Sequence, residues 1–359
     1  MKITKVKIEK FSAPLKEPFR VAFGVIEDAD SWTVKIETDE GIYGLGSAAP
    51  LAFVTGETMD TCYIVMKMFA DAFIGFDPMD IAGAHKLMDS IIYSNGAAKC
   101  AFDLALYDII GKKKGLPVYK VLGGTNPVVH NDITIGINAP EKMEADAKEY
   151  VFEKGFRILK VKTGLDLATD IRALTLIRNA VGPDVRIRID ANQGYSVETA
   201  LKALPEFEKL GIDAAEQFLP WWDFEGAAEL KRKNTTSVKL MLDESIHNIH
   251  DAHRAAKLDC ADFYNIKLMK CGGLYYGAQI ADIAEEAGVG CMVGCMQENK
   301  ISIAAGVSLV AAKKAIVEAD CDSFMFYKGD DDGIAGGFTR EGGVFTLLDK
   351  PGLGLDYDI

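Results

Sequence analysis

Arg157-Ile158-Leu159-Lys160-Val161-Lys162-Thr163-Gly164 reads as a strand in which Lys160 and Lys162 share one face while Leu159 and Val161 pack behind them. Two ammonium groups in one pocket each raise the cost of protonating the other. Crowding therefore predicts a lowered pKa for at least one of them, towards the range of a general base. Lysine pairs also occur on exposed strand edges, where they block aggregation, so this pair gains meaning from the residues downstream of it. A third lysine, Lys267, stands in Asn265-Ile266-Lys267-Leu268-Met269-Lys270, and acids at Asp190, Glu216 and Asp243 close the short apolar segments between. The pattern suggests bases around a metal.

Outward from this stretch, short apolar strands alternate with longer amphipathic helices. The strands read as Thr134 to Asn138, Arg157 to Lys162, Val185 to Asp190, Ala214 to Gln217, Leu240 to Glu244, Phe263 to Lys267, Gly290 to Gly294 and Ala315 to Asp320. Eight strands with intervening helices in about 200 residues is the rhythm of a (β/α) barrel. A doubly wound sheet gives the same alternation but does not bring so many strand ends to one point. Before Gly123-Gly124 the pattern differs. Residues 1 to about 50 read as a small antiparallel sheet: Met1 to Lys10, Ser31 to Thr38, a turn at Asp39-Glu40-Gly41 and a strand to Gly46. Gly41, Gly44 and Gly46 begin in that hairpin turn with no βαβ unit around them, which argues against a phosphate-binding loop. From Glu57 the spacing is helical to Lys112-Lys113-Lys114-Gly115-Leu116-Pro117, a basic, glycine and proline stop.

The bulk numbers fit two lobes. The chain has 359 residues, 49% hydrophobic and 26% charged, with mean hydropathy +0.06, enough for a large core and little disorder. A net charge of -13 argues against a nucleic-acid surface, although a metal or lysine cluster can still invert the field in one pocket. Seven scattered cysteines fit a reducing compartment, with Cys291 and Cys295 read as core thiols. The N-terminus alternates like a strand and lacks the apolar stretch of a signal peptide, and the longest apolar run, Ile301 to Ala312, is too short to span a bilayer. A cytoplasmic location is expected, with no membrane partner.

Five strand-end motifs then carry a family resemblance: Lys160-x-Lys162, Asp190-Ala191-Asn192, Glu216-Gln217, Asp243-Glu244 and Lys267, with 24 to 28 residues from each of Lys162, Asp190, Glu216 and Asp243 to the next. With Ala101-Phe102-Asp103-Leu104-Ala105-Leu106-Tyr107-Asp108 and Leu122-Gly123-Gly124, they make the chain similar over nearly its whole length to the enolase superfamily. The resemblance is to the muconate-lactonising subgroup, and within it to the dipeptide epimerases of the L-Ala-D/L-Glu type. It implies a modified (β/α)8 barrel with an α+β capping domain built from the N-terminal region and the C-terminal tail. The boundaries expected are 1–124 for the cap, 125–322 for the barrel and 323–359 for the segment returning to the cap.

The resemblance also implies roles. Asp190, Glu216 and Asp243 offer three hard carboxylates suited to Mg²⁺, while Lys162 and Lys267 supply one base on each face of a planar enediolate and Lys160 offsets the oxyanion. Asp320 and Asp322, in Asp320-Cys321-Asp322, resemble the pair that holds the terminal ammonium of a dipeptide. Thr134, Glu298, Arg20 and Gly24 complete the expected substrate-binding set. Gly24 stands where the L-Ala-D/L-Glu enzymes carry an arginine for the glutamate side chain, which leaves Arg20 as the nearby substitute or an apolar pocket as the alternative. Glu244 is expected to face away from the site, and Lys270 to point outward. The implied activity is epimerisation at the α-carbon of a dipeptide's C-terminal residue by an isomerase, with assembly into a homo-oligomer left open. A muconate cycloisomerase or o-succinylbenzoate synthase would not need Asp320 and Asp322, and a non-catalytic ligand-binding barrel would not need the two lysines with the three acids.

Overall fold

The computed structural model describes residues 1–22, 24–328 and 332–359, without the side chain of Glu27. The N-terminal region opens with an antiparallel sheet of Ile3–Val21, Gly24–Thr38 and Tyr43–Ala48. Its first strand runs well past Lys10, pairing from Ile3 with Thr38 to Val21 with Gly24, interrupted between Pro14 and Phe19. Helices Met59–Phe73, Ile81–Ile91 and Gly96–Lys114 follow, the last ending at Gly115 with φ +67. Gly44 and Gly46 serve packing rather than ligand binding. A Cβ on them would lie 2.0 Å from the Ala105 carbonyl oxygen and 1.8 Å from that of Ala101, so only glycine lets the strand press onto this helix.

The barrel strands are Ile133–Ile135, Ile158–Lys162, Arg186–Asp190, Ile212–Glu216, Lys239–Leu242, Phe263–Lys267, Gly290–Gly294 and Ile316–Asp320. They form one parallel sheet in chain order. Its outer strands meet where Asp132 N–H donates to Ala319 O at 3.1 Å and Cys321 N–H to Asn131 Oδ1 at 2.7 Å. Apolar residues of each strand, such as Ile187 and Ile189, pack under the surrounding helices, while Arg188 and Asp190 alternate with them. Each fully buried aliphatic side chain of this kind contributes about 1.5 to 3 kcal/mol relative to exposure.

Among the described residues the eighth strand is not followed by a full helix. A short turn, Ser323–Phe326, leads into Phe338–Glu341 and Val344–Leu347, which pair with Val128–His130 ahead of the first barrel strand. The tail then reaches the N-terminal region: Leu353 N–H donates to Asp108 Oδ1 at 2.8 Å, Lys35 pairs with Asp358, and Lys7 donates to Ile359 O at 3.0 Å. Among the described residues no helix is long and apolar enough to cross a membrane, and all seven cysteines are free thiols.

Candidate active site

Parallel register sets the chemistry at one level of the barrel. Lys162 pairs across the sheet with Asp190, and Asp190 with Glu216; on the other side Lys267 pairs with Gly294, and Gly294 with Asp320. Strands two and six lie four positions apart in an eight-strand sheet, so Lys162 and Lys267 face each other over the mouth. The small residue between Lys267 and Asp320 is required, because a Cβ on Gly294 would meet Asn265 Oδ1 at 2.7 Å.

Asp190, Glu216 and Asp243 are buried and each offers a carboxylate oxygen within 4.8 Å of the others. Lysines crowd them. Lys160 Nζ lies 3.1 Å from Asp190 Oδ2, 2.9 Å from Glu216 Oε2 and 2.8 Å from Asp320 Oδ2. Lys162 reaches Asp190 Oδ2 at 2.6 Å, and Lys267 reaches Asp243 Oδ2 at 2.8 Å. Burial opposes the charge on Lys160 and Lys267, but the carboxylates outweigh it: Asp320, Glu216 and Asp190 around Lys160, and Asp243 beside Lys267, hold both pKa values above the ordinary lysine value. For these two lysines the shift is opposite to the one that crowding by another ammonium predicts, because acids stand between the bases.

The acids differ among themselves. Burial and the Asp190 charge push Glu216 up to about 8. Burial also works against ionised Asp243, yet Lys267, Lys270 and Lys160 hold it well below the usual carboxylate range. Glu216 Oε2 and Asp243 Oδ2 accept no well-formed hydrogen bond despite the ammonium contacts. Three buried hard oxygen donors, two with an atom unsatisfied by hydrogen bonds, fit a divalent cation such as Mg²⁺.

The structure corrects two expectations about residues beside the acid triad. Lys270 is not outward: it is buried, donates to Asp243 Oδ1 at 2.5 Å and to Asn265 O at 3.1 Å, and also contacts Asp243 O. Strand six ends at Lys267 and a short helix, Leu268–Cys271, begins at once, so strand alternation no longer governs residue 270. Glu244 does not face away either. Strand five ends at Leu242, and the following turn brings the Glu244 carboxylate to Asn192 Nδ2 at 3.1 Å, lining the pocket. Burial and the Asp243 and Asp190 charges push it up to about 7.

The cavity above these groups has an empty volume of about 570 Å³, part of it open to solvent. Its charged end is Asp320 and Asp322. Thr134 joins them, its N–H donating to Asp322 Oδ2 at 2.7 Å and its hydroxyl to Asp320 Oδ1 at 3.3 Å. The N-terminal region contributes Phe19, Val21, Ile26, Leu51 and Val54, an apolar wall that Phe326 extends. Arg20 is not in this wall. It lies between Phe19 and Val21 on one strand, so alternation turns it to the other face, exposed in a neighbouring cavity. Gly24 sits at the hairpin, where an added Cβ would meet the Phe53 ring at 3.6 Å, and does not line the pocket. Met296 and Gln297 do line it, whereas the Glu298 carboxylate turns away to accept the Met296 N–H at 2.9 Å. Cys291 is core, but Cys295 faces the cavity, 3.7 Å from Asp322 Oδ1.

Sequence reading missed Asn265, which donates to Glu216 Oε1 at 2.7 Å, and Asp132, a buried carboxylate clustered with Asp320 and Asp322. Asn265 had a signal: it stands two residues before Lys267, on the same strand face.

Residues 3–123 match the model for the mandelate racemase / muconate lactonizing enzyme N-terminal domain, and residues 142–358 the model described as enolase C-terminal domain-like. The chain is 39% identical over 359 residues to the hydrophobic dipeptide epimerase of Enterococcus faecalis, covering 99% of this chain and 100% of that protein. It is 37% identical over 359 residues to the L-Ala-D/L-Glu epimerase of Clostridium acetobutylicum, covering 99% of each. The crystal structure of the dipeptide epimerase from Enterococcus faecalis V583, complexed with Mg and the dipeptide L-Leu-L-Tyr, matches with a TM-score of 0.96 at 39% identity, covering 99% of this chain and 100% of that one.

Proposed function

Since the chain belongs to the enolase superfamily, in its mandelate racemase / muconate lactonizing branch, we propose that it is a Mg²⁺-dependent epimerase acting at the α-carbon of a dipeptide's C-terminal residue. The reading is carried by Lys162 and Lys267, two buried amines across the barrel mouth from each other with the acid triad between them. With the charge of the acids taken up by the cation they would hold, one lysine, as the neutral amine, takes the α-proton from one face; the other, as ammonium, returns a proton to the opposite face. Asp190, Glu216 and Asp243 hold Mg²⁺, which when bound supplies positive charge for the substrate carboxylate, as in other enolase-superfamily sites. Lys160, fixed by three carboxylates, adds a charge beside the developing oxyanion.

Asp320 and Asp322, joined by Thr134, take the dipeptide's ammonium. L-Ala-D/L-Glu is the best single choice of substrate from the family resemblance. The wall of Phe19, Val21, Ile26, Leu51 and Val54 supports a further preference, among dipeptides, for apolar side chains, because an ionised side chain buried there would lack a partner.

A dipeptide library incubated with enzyme and Mg²⁺ in D₂O, read by mass spectrometry and chiral chromatography, tests this. Deuterium should enter only at the C-terminal residue's α-carbon, with inversion, and L-Ala-L-Leu should compete with L-Ala-L-Glu. Exchange into N-acylated amino acids but into no free dipeptide would refute the dipeptide reading.

A further inference from the structure

The segment from Leu51 to Gly56 carries part of the apolar wall yet belongs to the N-terminal region, so something must hold it against the barrel. It is a small closed turn: Val54 and Thr55 N–H both donate to Leu51 O, at 2.9 and 2.8 Å, and the Thr55 hydroxyl accepts the Leu51 N–H at 3.1 Å. One side is tied down where Ala49 N–H meets Met269 Sδ at 3.2 Å. The other is held where the Glu57 carboxylate accepts the N–H groups of Ala97 and Ala98 at 3.0 and 3.1 Å. Across its middle, His247 Nε2 reaches Val54 O at 2.9 Å. A carbonyl can only accept, so Nε2 carries the proton and donates.

His247 is itself fixed. It lies in the turn that begins with Asp243 and Glu244; its N–H donates to Asp251 Oδ2 at 3.0 Å, and its ring meets Trp221 edge-on at 6.3 Å. Burial, then the Lys270 charge, lowers its pKa, which keeps the ring neutral near pH 7. Leu51 and Val54 line the reaction cavity; His247 does not.

We propose that His247 is a positioning residue that latches the Leu51–Gly56 turn over the cavity, so that the apolar wall is preformed when a dipeptide enters. The latch joins the turn bearing Asp243 to the cap, and it touches neither the reacting atoms nor the ammonium end. It deepens the dipeptide reading and rests on it for its kinetic test. Without the latch the wall must be ordered on binding, which weakens substrate association and spares the chemical step.

The experiment compares wild type, His247→Ala and His247→Gln, the last keeping an N–H near the Nε2 position. In His247→Ala, KM for L-Ala-L-Leu should rise about five-fold, the equivalent of one neutral hydrogen bond of about 1 kcal/mol, with kcat within about two-fold. His247→Gln should restore most of it. Hydrogen exchange of the amides from residues 51 to 56, measured without substrate, should quicken in His247→Ala and recover in His247→Gln. Unchanged KM with unchanged exchange overturns the latch; so does a fall in kcat with a raised Mg²⁺ requirement at constant KM, which would place the effect on the Asp243 turn. If wild type turns over no dipeptide, the functional reading fails, and the exchange rates alone then decide the latch.

Discussion

Replacing Asp322 by asparagine tests the proposed ammonium site most directly, because the two carboxylates there are not equivalent. Asp320 already has an ion pair, with Lys160 at 2.8 Å. Asp322 has a backbone N–H at 2.7 Å, and no ion pair reaches it among the described residues. Burial and the Asp320 charge push it up to about 7, so much of its charge is held back in the free enzyme. In the proposed complex a substrate ammonium would complete the pair. A hydrogen bond to a charged partner is worth about 1.5 to 3 kcal/mol, so Asp322→Asn should lower kcat/KM for a free dipeptide by about 10- to 150-fold. N-acetylation of the substrate, which removes the same charge from the other side, should lower it by a similar factor in wild type. On Asp322→Asn the N-acetyl dipeptide should lose little more, because the interaction can be lost only once. The pH profile supplies the sign. Protonated Asp322 offers no charge, so wild-type kcat/KM should rise with pH through about 7 and fall again as the dipeptide's α-amino group, pKa about 7.7 to 8.0, loses its proton. The acidic limb should vanish in Asp322→Asn. Initial rates of epimerisation by chiral chromatography measure all four combinations; fully additive losses, or an acidic limb that survives the substitution, refute the pairing of Asp322 with the ammonium.

Chelation should abolish turnover and Mg²⁺ restore it, with Asp243→Asn needing more Mg²⁺ for half activity; full rates in excess EDTA would sink the metal assignment. Lys162→Ala and Lys267→Ala should each lower epimerisation by about 10² to 10⁴-fold, while each retains α-proton exchange for the one stereoisomer that faces its remaining lysine, seen by NMR in D₂O. If either variant epimerises at the wild-type rate, the two-base scheme is wrong. Lys270→Ala breaks a buried pair, but Asp243 keeps Lys267 at 2.8 Å, so the loss should sit near the lower end of about 3 to 5 kcal/mol. Denaturant unfolding checks it, and an unchanged midpoint would remove Lys270 from the support of Asp243.

The barrel is legible in the chain because a parallel sheet covered by helices writes two periods in alternation, and Lys160-x-Lys162 is legible because strand two persists through both lysines. Legibility stops where the strands do. Glu244 and Lys270 lie one or three residues past an acid or lysine that the chain marks clearly, but strand five ends at Leu242 and strand six turns into a helix after Lys267, so the period of two points them the wrong way. In a (β/α) barrel the chemistry sits at that exit, which is where periodicity has least to say. Arg20 shows the converse. Its strand does continue, to Val21, and alternation places Phe19 and Val21 on one face and Arg20 on the other, so the cation expected for a glutamate side chain is turned away from the cavity. The role of Gly294 has no local signal at all, since the clash it avoids is with Asn265 on a different strand, and only the register of strands six and seven brings the two together. Contacts made along one strand can be read from one sequence, whereas contacts made across strands need the sheet, and both the acid cluster and the bonds from Thr134 to Asp320 and Asp322 are built across strands.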